Sequence, residues 1–316
     1  MAPLVTVAVT TRDRHELLQR AVGSALYQTV SDVEVVVVDD GSTTPPPIPP
    51  DPRVRRIRLD ERRGVSGARN VAIDVATGQW IVFLDDDDEL MPDMLEASIR
   101  AVDRSQLTPP IAVLSAIEVV DVAGRRLEMR RPPTLARGRH YFLEDPADGV
   151  SYQTQNSLMA PLSVVRELGG WDERLHAMEH DDFFLRLNAA TSIEGLASVG
   201  YRLTAHDGSR LSRDLTARAE AMALVIASHR QVFTRHTRAY AEYLGTMGIT
   251  YLRAGRWRPA VAATTRSLMV DARRPKAMRQ WGVSLVGPGG WRSIDAVRRM
   301  HDQNGGRARP RDRERT

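Results

Sequence analysis

The sequence lacks cysteine altogether, has a single lysine, Lys276, and contains no long apolar run. Without cysteine no disulfide forms, which is compatible with a reducing compartment. No stretch reaches about 18 consecutive uncharged apolar residues, so an ordinary membrane-spanning helix is excluded. Residues 1–3 lead directly into an apolar segment without a charged region before it. We therefore expect no signal peptide and a cytoplasmic location.

The two parts of the chain differ in charge. Residues 1–212 carry 23 basic and 32 acidic side chains, whereas residues 213–316 carry 21 basic and 8 acidic ones. A length of 316 residues allows one large domain or two smaller ones, each with a core. We therefore predict a first module at 1–212, a basic helical region at 213–303 and a disordered basic tail at 304–316.

Apolar strands and amphipathic helices alternate through the first module. Strands that are apolar on both faces are typical of a parallel sheet covered by helices, so the pattern predicts an α/β fold with a mostly parallel twisted sheet. The predicted strands are 4–9, 33–38, 54–59, 80–84, 111–120 and 201–205. The predicted helices are 15–26, 65–76, 91–102, 163–168 and 181–190. The polar, proline-bearing residues 125–150 predict a loop.

An acidic cluster follows the apolar strand at 80–84. It consists of Asp85, Asp86, Asp87, Asp88 and Glu89. A bare acidic run also fits a solvated turn, but ligands of open α/β sheets bind at the carboxyl ends of strands, which favours a binding site. Adjoining carboxylates repel one another, and Mg²⁺ or Mn²⁺ is the counter-charge that prefers oxygen ligands. On an extended backbone Asp85 and Asp87 share one side and Asp86 and Asp88 the other.

Two further strands end in polar residues, which are Thr10 and Thr11 after the first and Asp39 and Asp40 after the second. A carboxylate at such an edge can accept hydrogen bonds from a nucleobase or a ribose. Arginines at 62, 63 and 69 follow the third strand, and their guanidinium groups suit a diphosphate. The sequence therefore predicts a nucleotide site beside the acidic cluster.

These motifs resemble those of family 2 glycosyltransferases, which have the GT-A fold. The matching residues are Thr10, Thr11, Gln28, Thr29, Asp39, Asp40, Gly41, Ser42, Gly64, Val65, Ser66, Gly67, Ala68, Arg69, Asn70, Phe83, Leu84, Asp85, Asp86, Asp87, Asp88 and Pro92, and later Gly169, Gly170, Trp171, Asp172, Glu173, Arg174, Leu175, Glu179, Leu185, Arg186 and Leu187. The resemblance covers about residues 3–212 in the family's order and spacing. It implies a GT-A catalytic domain at 1–212 with an α-helical C-terminal appendage.

The resemblance implies an inverting enzyme that uses a nucleotide-diphosphate sugar and a divalent ion, Mg²⁺ or Mn²⁺. It places the ion on Asp85, Asp87 and His206, the last being the histidine that often closes such sites. It places the nucleotide sugar on Thr10, Thr11, Arg12, Asp40, Arg69, Asp85 and Asp86. UDP is the first expectation for the nucleotide, and the acceptor is a hydroxyl of a saccharide, a lipid or a small molecule. The expectation requires that the Asp39–Asp40 pair and the run Asp85–Asp88 share one pocket. It also requires that no basic side chain neutralises Asp87.

The catalytic base is where the sequence departs from the family. Counting back from Arg186, the family's Glu-Asp pair falls on Glu179 and His180, and Asp181 and Asp182 follow. A neutral histidine also takes a proton near pH 7. Either His180 is the base, or a one-residue adjustment at the helix start presents Asp181, which we slightly prefer. Asp182 fits a helix cap as well as a catalytic group.

The basic C-terminal region is helical in pattern and leaves three interpretations open. A helix pair around Trp281 and Trp291 with interspersed arginines fits an anionic membrane surface. The same pattern fits a packed helical appendage with a solvated basic face. The turn at Gly255 resembles one tetratricopeptide hairpin. No nucleic-acid module is recognisable, so we expect no nucleic-acid partner.

Other functions were weighed against glycosyl transfer. Phosphohydrolases with an Asp-x-Asp motif need a catalytic lysine, and Lys276 lies in the basic region. Sugar nucleotidyltransferases need a glycine-rich loop after the first strand, where this chain has Thr10, Thr11, Arg12 and Asp13. Because the base position is altered, a non-catalytic module that binds nucleotide sugars or carbohydrates stays the alternative.

Overall fold

The computed structural model describes residues 3–144, 147–205 and 214–287. The chain divides into two compact units, Met1–Leu211 and Ser212–Thr316. His206, the predicted tail at 304–316 and the predicted helix around Trp291 lie outside the described residues.

The first unit contains a sheet of nine strands and five α-helices within the described residues. The strands are β1 (Val5–Thr11), β2 (Val33–Asp39), β3 (Val54–Arg58), β4 (Trp80–Asp85), β5 (Glu89–Leu90), β6 (Ile111–Asp121), β7 (Arg126–Arg130), β8 (Leu158–Pro161) and β9 (Ser192–Ala205). The helices are α1 (His15–Leu26), α2 (Gly64–Val75), α3 (Met94–Arg104), α4 (Leu162–Glu167) and α5 (Glu179–Ala190), with a short 3-10 helix at Gln155–Ser157.

The N-terminal half of the sheet is parallel, as the apolar strands predict. Its order is β3-β2-β1-β4, and Thr10 of β1 pairs with Val38 on one side and Asp85 on the other. Thr11 pairs with Asp39. Parallel strands end at the same edge, so the polar ends of β1, β2 and β4 are brought together there.

The C-terminal half of the sheet is mixed. Strand β8 runs antiparallel between β4 and β6, whereas β9 pairs parallel with β6. Strands β5, β7 and β8 were not predicted. The loop prediction for 125–150 is wrong at Arg126–Arg130, where β7 pairs antiparallel with β6. Four of the five β7 residues are exposed, Leu127 and Met129 among them, and the three remaining β7 residues are charged, so this edge strand contributes little to the core.

The core of the first unit lies on both faces of the sheet. Alternate residues of β1 and β4 separate the two layers: Val7 and Val82 pack with α1 and α3, and Ala8 and Ile81 pack with α2 and α5. Successive side chains of a strand point to opposite faces, and both faces are buried here. The strands are therefore apolar at nearly every position. The strand ends are therefore held rigidly beneath the site.

The second unit is helical throughout its described part. Its helices are α6 (Leu215–Ser228), α7 (Arg230–Arg235), α8 (Thr237–Arg253), α9 (Trp257–Val270) and α10 (Pro275–Leu285). Helices α8 and α9 form a hairpin at Gly255, whose φ of +76° favours glycine. Gly248 lets α9 approach closely, because a Cβ there would meet the Thr264 side chain at 2.5 Å. None of the described helices has the length and apolarity needed to cross a membrane.

Candidate active site

A cavity of about 560 Å³ opens at the carboxyl edge of the parallel strands. Its volume lies within the range of small-molecule sites. The lining residues are Thr10, Thr11, Arg12, Asp13, Arg14, Asp40, Arg62, Gly64, Val65, Ala68, Arg69, Asp85, Asp86, Asp87, Asp88, Asn156, Glu179, His180, Leu203 and Thr204. Asp40 and the acidic run Asp85–Asp88 therefore line one cavity, as the sequence prediction requires.

The acidic run forms a tight turn after β4. The Asp88 amide donates to the Asp85 carbonyl over 3.2 Å, so the chain no longer alternates sides as an extended strand does. Asp85, Asp87 and Asp88 each offer a carboxylate oxygen, and these oxygens lie within 4.8 Å of one another. Asp86 instead accepts a hydrogen bond from the Thr11 hydroxyl over 2.7 Å. The turn thus adds Asp88 to the predicted ligand pair and separates Asp86 from it.

The charge on this turn is only partly compensated. Burial raises the pKa of Asp86 to about 6, although the Thr11 hydrogen bond and the Arg14 charge act in the opposite direction. Burial, and then the charges of Asp85 and Asp87, raise the pKa of Asp88 well above its ordinary value. Three convergent carboxylate oxygens with unfavourable mutual charge suit a hard divalent cation, so the donor set fits Mg²⁺ or Mn²⁺.

Arg14 is an unexpected neighbour of the acidic turn. Its Nη1 lies 2.8 Å from Asp87 Oδ2 and 3.1 Å from Asp86 Oδ1. The condition that no basic side chain neutralises Asp87 is therefore not met, so this part of the expectation fails. The case for a cation site depends instead on the convergence of the Asp85, Asp87 and Asp88 oxygens in the shared cavity. Arg14 precedes α1, and the preceding Asp13 has a φ of +54° and accepts from the Thr43 amide over 2.7 Å. A cation on Asp87 would have to share that carboxylate with a guanidinium.

Asp40 fixes the backbone that leads into α2. Its two carboxylate oxygens accept hydrogen bonds from the amides of Arg63, over 2.6 Å, and Gly64, over 3.0 Å. Gly64 has a φ of +75°, a conformation that glycine adopts at little cost. Each carboxylate oxygen keeps a second lone pair, so contact with a nucleobase is compatible with these bonds. Its neighbour Asp39 is fully buried and accepts from the Ser42 amide over 2.9 Å.

Arg69 connects the acidic turn with α5. Its side chain is buried, and Nη2 donates to Asp85 Oδ1 over 2.8 Å. Its Nη1 lies 3.5 Å from Glu179 Oε1, and its guanidinium carbon sits 4.6 Å from the centre of the Trp171 ring. A buried, delocalised cation of this kind fixes two carboxylates in one geometry.

Sequence reasoning missed three polar partners of the turn. Asn156, in the 3-10 helix before β8, donates to Asp85 Oδ2 over 2.9 Å. The Tyr201 hydroxyl donates to Asp88 Oδ2 over 2.9 Å, and the Thr204 amide donates to Asp88 Oδ1 over 3.0 Å. All three come from the mixed half of the sheet. No local motif marks them, because the long-range strand pairing alone brings them to the turn.

The start of α5 presents two of the four residues predicted for the base. Glu179 and His180 line the cavity, and His180 Nδ1 lies 3.2 Å from Glu179 Oε1. Asp181, the residue we slightly prefer as the base, is not among the residues that line the cavity, and its role stays a prediction. Asp182 is buried and pairs with Arg186 over 2.5 Å, one turn along the helix, so it stabilises α5. The helix begins at Glu179, two residues earlier than predicted, and successive helical residues point about 100° apart.

Comparison with known proteins gives one family and several relatives. Residues 6–154 match the family model described as Glycosyl transferase family 2. The succinoglycan biosynthesis protein ExoO of Rhizobium meliloti (strain 1021) is 42% identical over 139 residues, which are 43% of this chain and 39% of that protein. The putative colanic acid biosynthesis glycosyl transferase WcaA of Escherichia coli (strain K12) is 37% identical over 99 residues, 29% of this chain and 36% of that protein. The chain thus spans less than two fifths of the length of these relatives.

One solved structure resembles this chain over nearly its full length. It is the crystal structure of S. aureus TarS 1-349 in complex with UDP-GlcNAc, with a TM-score of 0.56, 17% sequence identity and 92% coverage of both chains. At this identity the likeness establishes the fold alone.

Proposed function

We propose that the protein is a metal-dependent, inverting glycosyltransferase of family 2, because residues 6–154 match that family's model and the first unit has the predicted GT-A fold. It moves a sugar from a nucleotide diphosphate to an acceptor hydroxyl. The observation that carries this proposal is the cavity that Asp40, Arg69 and the acidic turn share.

The donor we propose is a UDP-sugar. Asp40 and Thr10 receive the base, Thr11, Arg12 and Asp86 complete the nucleotide-sugar pocket, and Arg69 faces the diphosphate. The buried Arg69 guanidinium pairs with Asp85 through Nη2 and with Glu179 through Nη1, so what it offers the diphosphate is a fixed positive charge. The TarS structure that shares this fold holds UDP-GlcNAc, which supports UDP as the nucleotide.

The divalent ion would be held by Asp85, Asp87 and Asp88, with His206 proposed as a further ligand from the segment after β9. When bound, Mg²⁺ or Mn²⁺ supplies positive charge next to the leaving diphosphate. Arg69 adds its own charge on the side of Asp85. Because these groups are fixed before the reaction, they stabilise the developing negative charge without a reorganisation cost.

The reaction is a single in-line displacement. The acceptor oxygen forms a bond to the anomeric carbon while the bond from that carbon to the diphosphate oxygen breaks, and its electron pair leaves with the diphosphate. The acceptor proton passes to a base at the start of α5, where Glu179 and His180 line the cavity. One displacement inverts the anomeric configuration.

We propose a saccharide acceptor in the synthesis of a cell-surface polysaccharide. The relatives named for succinoglycan and colanic acid biosynthesis support this class. The enzyme acts in the cytoplasm, peripherally on an anionic inner membrane surface, where acceptors of this kind are presented. The excess of 21 basic over 8 acidic residues in 213–316 supports that location.

Release of UDP from a panel of UDP-sugars in the presence of Mn²⁺ tests the proposal. At least one sugar nucleotide should be hydrolysed or transferred, and EDTA should abolish the reaction. The D85N/D87N double variant, which keeps the shape of the turn, is the matched control and should be inactive. Binding without turnover of any sugar nucleotide would instead favour the non-catalytic alternative.

A further inference from the structure

Glu179 and His180 form a carboxylate–imidazole pair at the N-terminus of α5. The 3.2 Å between Glu179 Oε1 and His180 Nδ1 is a hydrogen-bonding distance. A neutral imidazole carries its proton on one nitrogen and is a base at the other. If the proton lies on Nδ1, toward the carboxylate, the basic nitrogen is Nε2. Such pairing fixes the tautomer and stabilises the imidazolium that forms when the ring takes a proton.

Glu179 is suited to this supporting role and poorly suited to be the base. Burial raises its pKa, but the hydrogen bond and charge of a protonated His180 and the charge of Arg69 outweigh burial and lower the pKa to about 2. Glu179 is thus an ionised partner for the imidazolium that forms when His180 takes a proton. A carboxylate of such low pKa accepts hydrogen bonds and binds protons weakly. Arg69, 3.5 Å away and anchored on Asp85, helps to keep it ionised.

The His180 ring is held by aromatic neighbours. Trp171 meets it edge to face, with centroids 5.1 Å apart, and Phe184 lies 6.5 Å away. Trp171 is itself stacked on Phe183 at 4.2 Å and covered by Arg69. The imidazole therefore packs against a rigid wall, and a ring so restricted can hold one nitrogen toward the acceptor.

We propose that His180 is the catalytic base of the glycosyl transfer, accepting the acceptor proton on Nε2, and that Glu179 is the positioning residue that holds Nδ1–H. This inference rests on the proposed function and replaces the carboxylate base of the family pattern by a histidine. As the acceptor oxygen bonds to the anomeric carbon and the diphosphate leaves, the proton moves to Nε2. The resulting imidazolium then releases it to water.

The first test needs neither donor nor acceptor. Nitrogen-15 correlation spectra of the histidine rings at neutral pH report the tautomer of each imidazole, and an H180N variant identifies the His180 signals. We expect the Nδ1–H tautomer for His180 in the wild type and loss of that preference in E179Q. A predominant Nε2–H tautomer in the wild type would overturn the proposal.

The second test separates the base from donor binding. H180A should lower kcat by at least about 10²-fold, the contribution of a general base, while its Kd for UDP with Mn²⁺ stays within twofold of the wild type. H176A is the matched control, since His176 is exposed and does not line the cavity, and it should keep full activity.

The competing assignment is tested in parallel. D181N should keep activity within threefold of the wild type. If D181N instead loses activity while H180A keeps it, the proposal is overturned. A wild type that binds UDP but turns over no donor would refute the proposed function, and the tautomer experiment would still decide the geometry of the pair.

Discussion

The two sides of the cavity are specified in different ways. On the donor side, Thr10, Asp40 and the acidic turn follow three parallel strands, each within a contiguous motif. The other lining residues include Asn156, which precedes β8, Thr204 in β9, and the start of α5, which lies between those two strands in the chain. The parallel half is therefore specified locally, whereas the mixed half depends on tertiary contacts. Arg69 joins the two through Asp85 and Glu179.

Removing Arg69, which connects Asp85 with Glu179, should have the largest effect on stability and activity. R69A leaves Asp85 and Glu179 without their shared cation, and breaking a buried ion pair costs about 3 kcal/mol. Activity should fall about 10³-fold, because a fixed positive charge beside the leaving diphosphate is lost. Urea unfolding and UDP-release rates measure the two effects. R69K, which keeps the charge but loses the planar fork, should recover part of the stability. Unchanged stability in R69A would show that the two sides are independent.

The donor side can be disabled separately. The D85N/D87N variant removes two of the three carboxylates offered to the cation, so activity should fall by about 10²-fold or more. The variant also breaks the ion pair between Asp85 and the buried Arg69, which costs about 3 kcal/mol, and this loss is partly offset by weaker repulsion with Asp88. Its thermal unfolding without Mn²⁺ therefore has to show that it is folded at the assay temperature. Thermal unfolding with and without Mn²⁺ checks this. The wild type should be stabilised by the ion and the variant should not. Equal Mn²⁺ stabilisation in both proteins would place the ion elsewhere.

The Glu179 carboxylate at the start of α5 makes the stability of the protein depend on pH. Its pKa in the folded protein is lowered to about 2 from an ordinary 4.5. A lowered pKa contributes stability that is present above about pH 4.5 and is lost as the pH falls toward 2. E179Q should therefore be less stable than the wild type by about 3 kcal/mol at pH 6. That difference should shrink between pH 4.5 and 2.5 in urea unfolding. A constant difference would mean that the charge of Glu179 is unimportant.

The smallest expected effect concerns Arg14. Its guanidinium compensates Asp86 and Asp87 but is 37% exposed, so its interaction with them is partly screened. R14A should bind Mn²⁺ more tightly, by about three- to tenfold, because a competing cation is removed. Calorimetric titration of Mn²⁺ into the variant measures this, with R14K as the control that retains the charge. Weaker binding in R14A would show that Arg14 positions Asp87 for the ion instead of competing with it.

What the sequence could predict follows the same division. Apolar runs ending in Thr10, Asp40 and Asp85 place those residues at one edge, because parallel strands share their carboxyl ends. Asn156 and Tyr201 carry no local signal, since they reach the acidic turn through β8 and β9 pairing. The sequence alone could not decide between His180 and Asp181 as the base, because that choice depends on where α5 begins, and helix boundaries are not fixed by periodicity.

Strand β7 was missed for a related reason. Residues 126–130 alternate charged and apolar side chains after the turn at Gly124, but Leu127 and Met129 stay exposed at the sheet edge. The segment is short and buries little apolar surface, so the polar, proline-bearing residues around it outweighed this pattern. The acidic turn was predicted as an extended strand that separates Asp85 and Asp87 from Asp88. The hydrogen bond from the Asp88 amide to the Asp85 carbonyl closes the turn and adds Asp88 to the cluster.

The central claim is that Asp40 and the acidic turn form one site for a nucleoside diphosphate and a divalent ion. Calorimetric binding of UDP to the wild-type protein, with Mn²⁺ and with EDTA, tests it most directly. We predict that UDP binds with Mn²⁺, that EDTA weakens binding at least tenfold, and that D85N/D87N abolishes the difference. UDP affinity that is equal with Mn²⁺ and with EDTA, or the absence of UDP binding under both conditions, would contradict the claim.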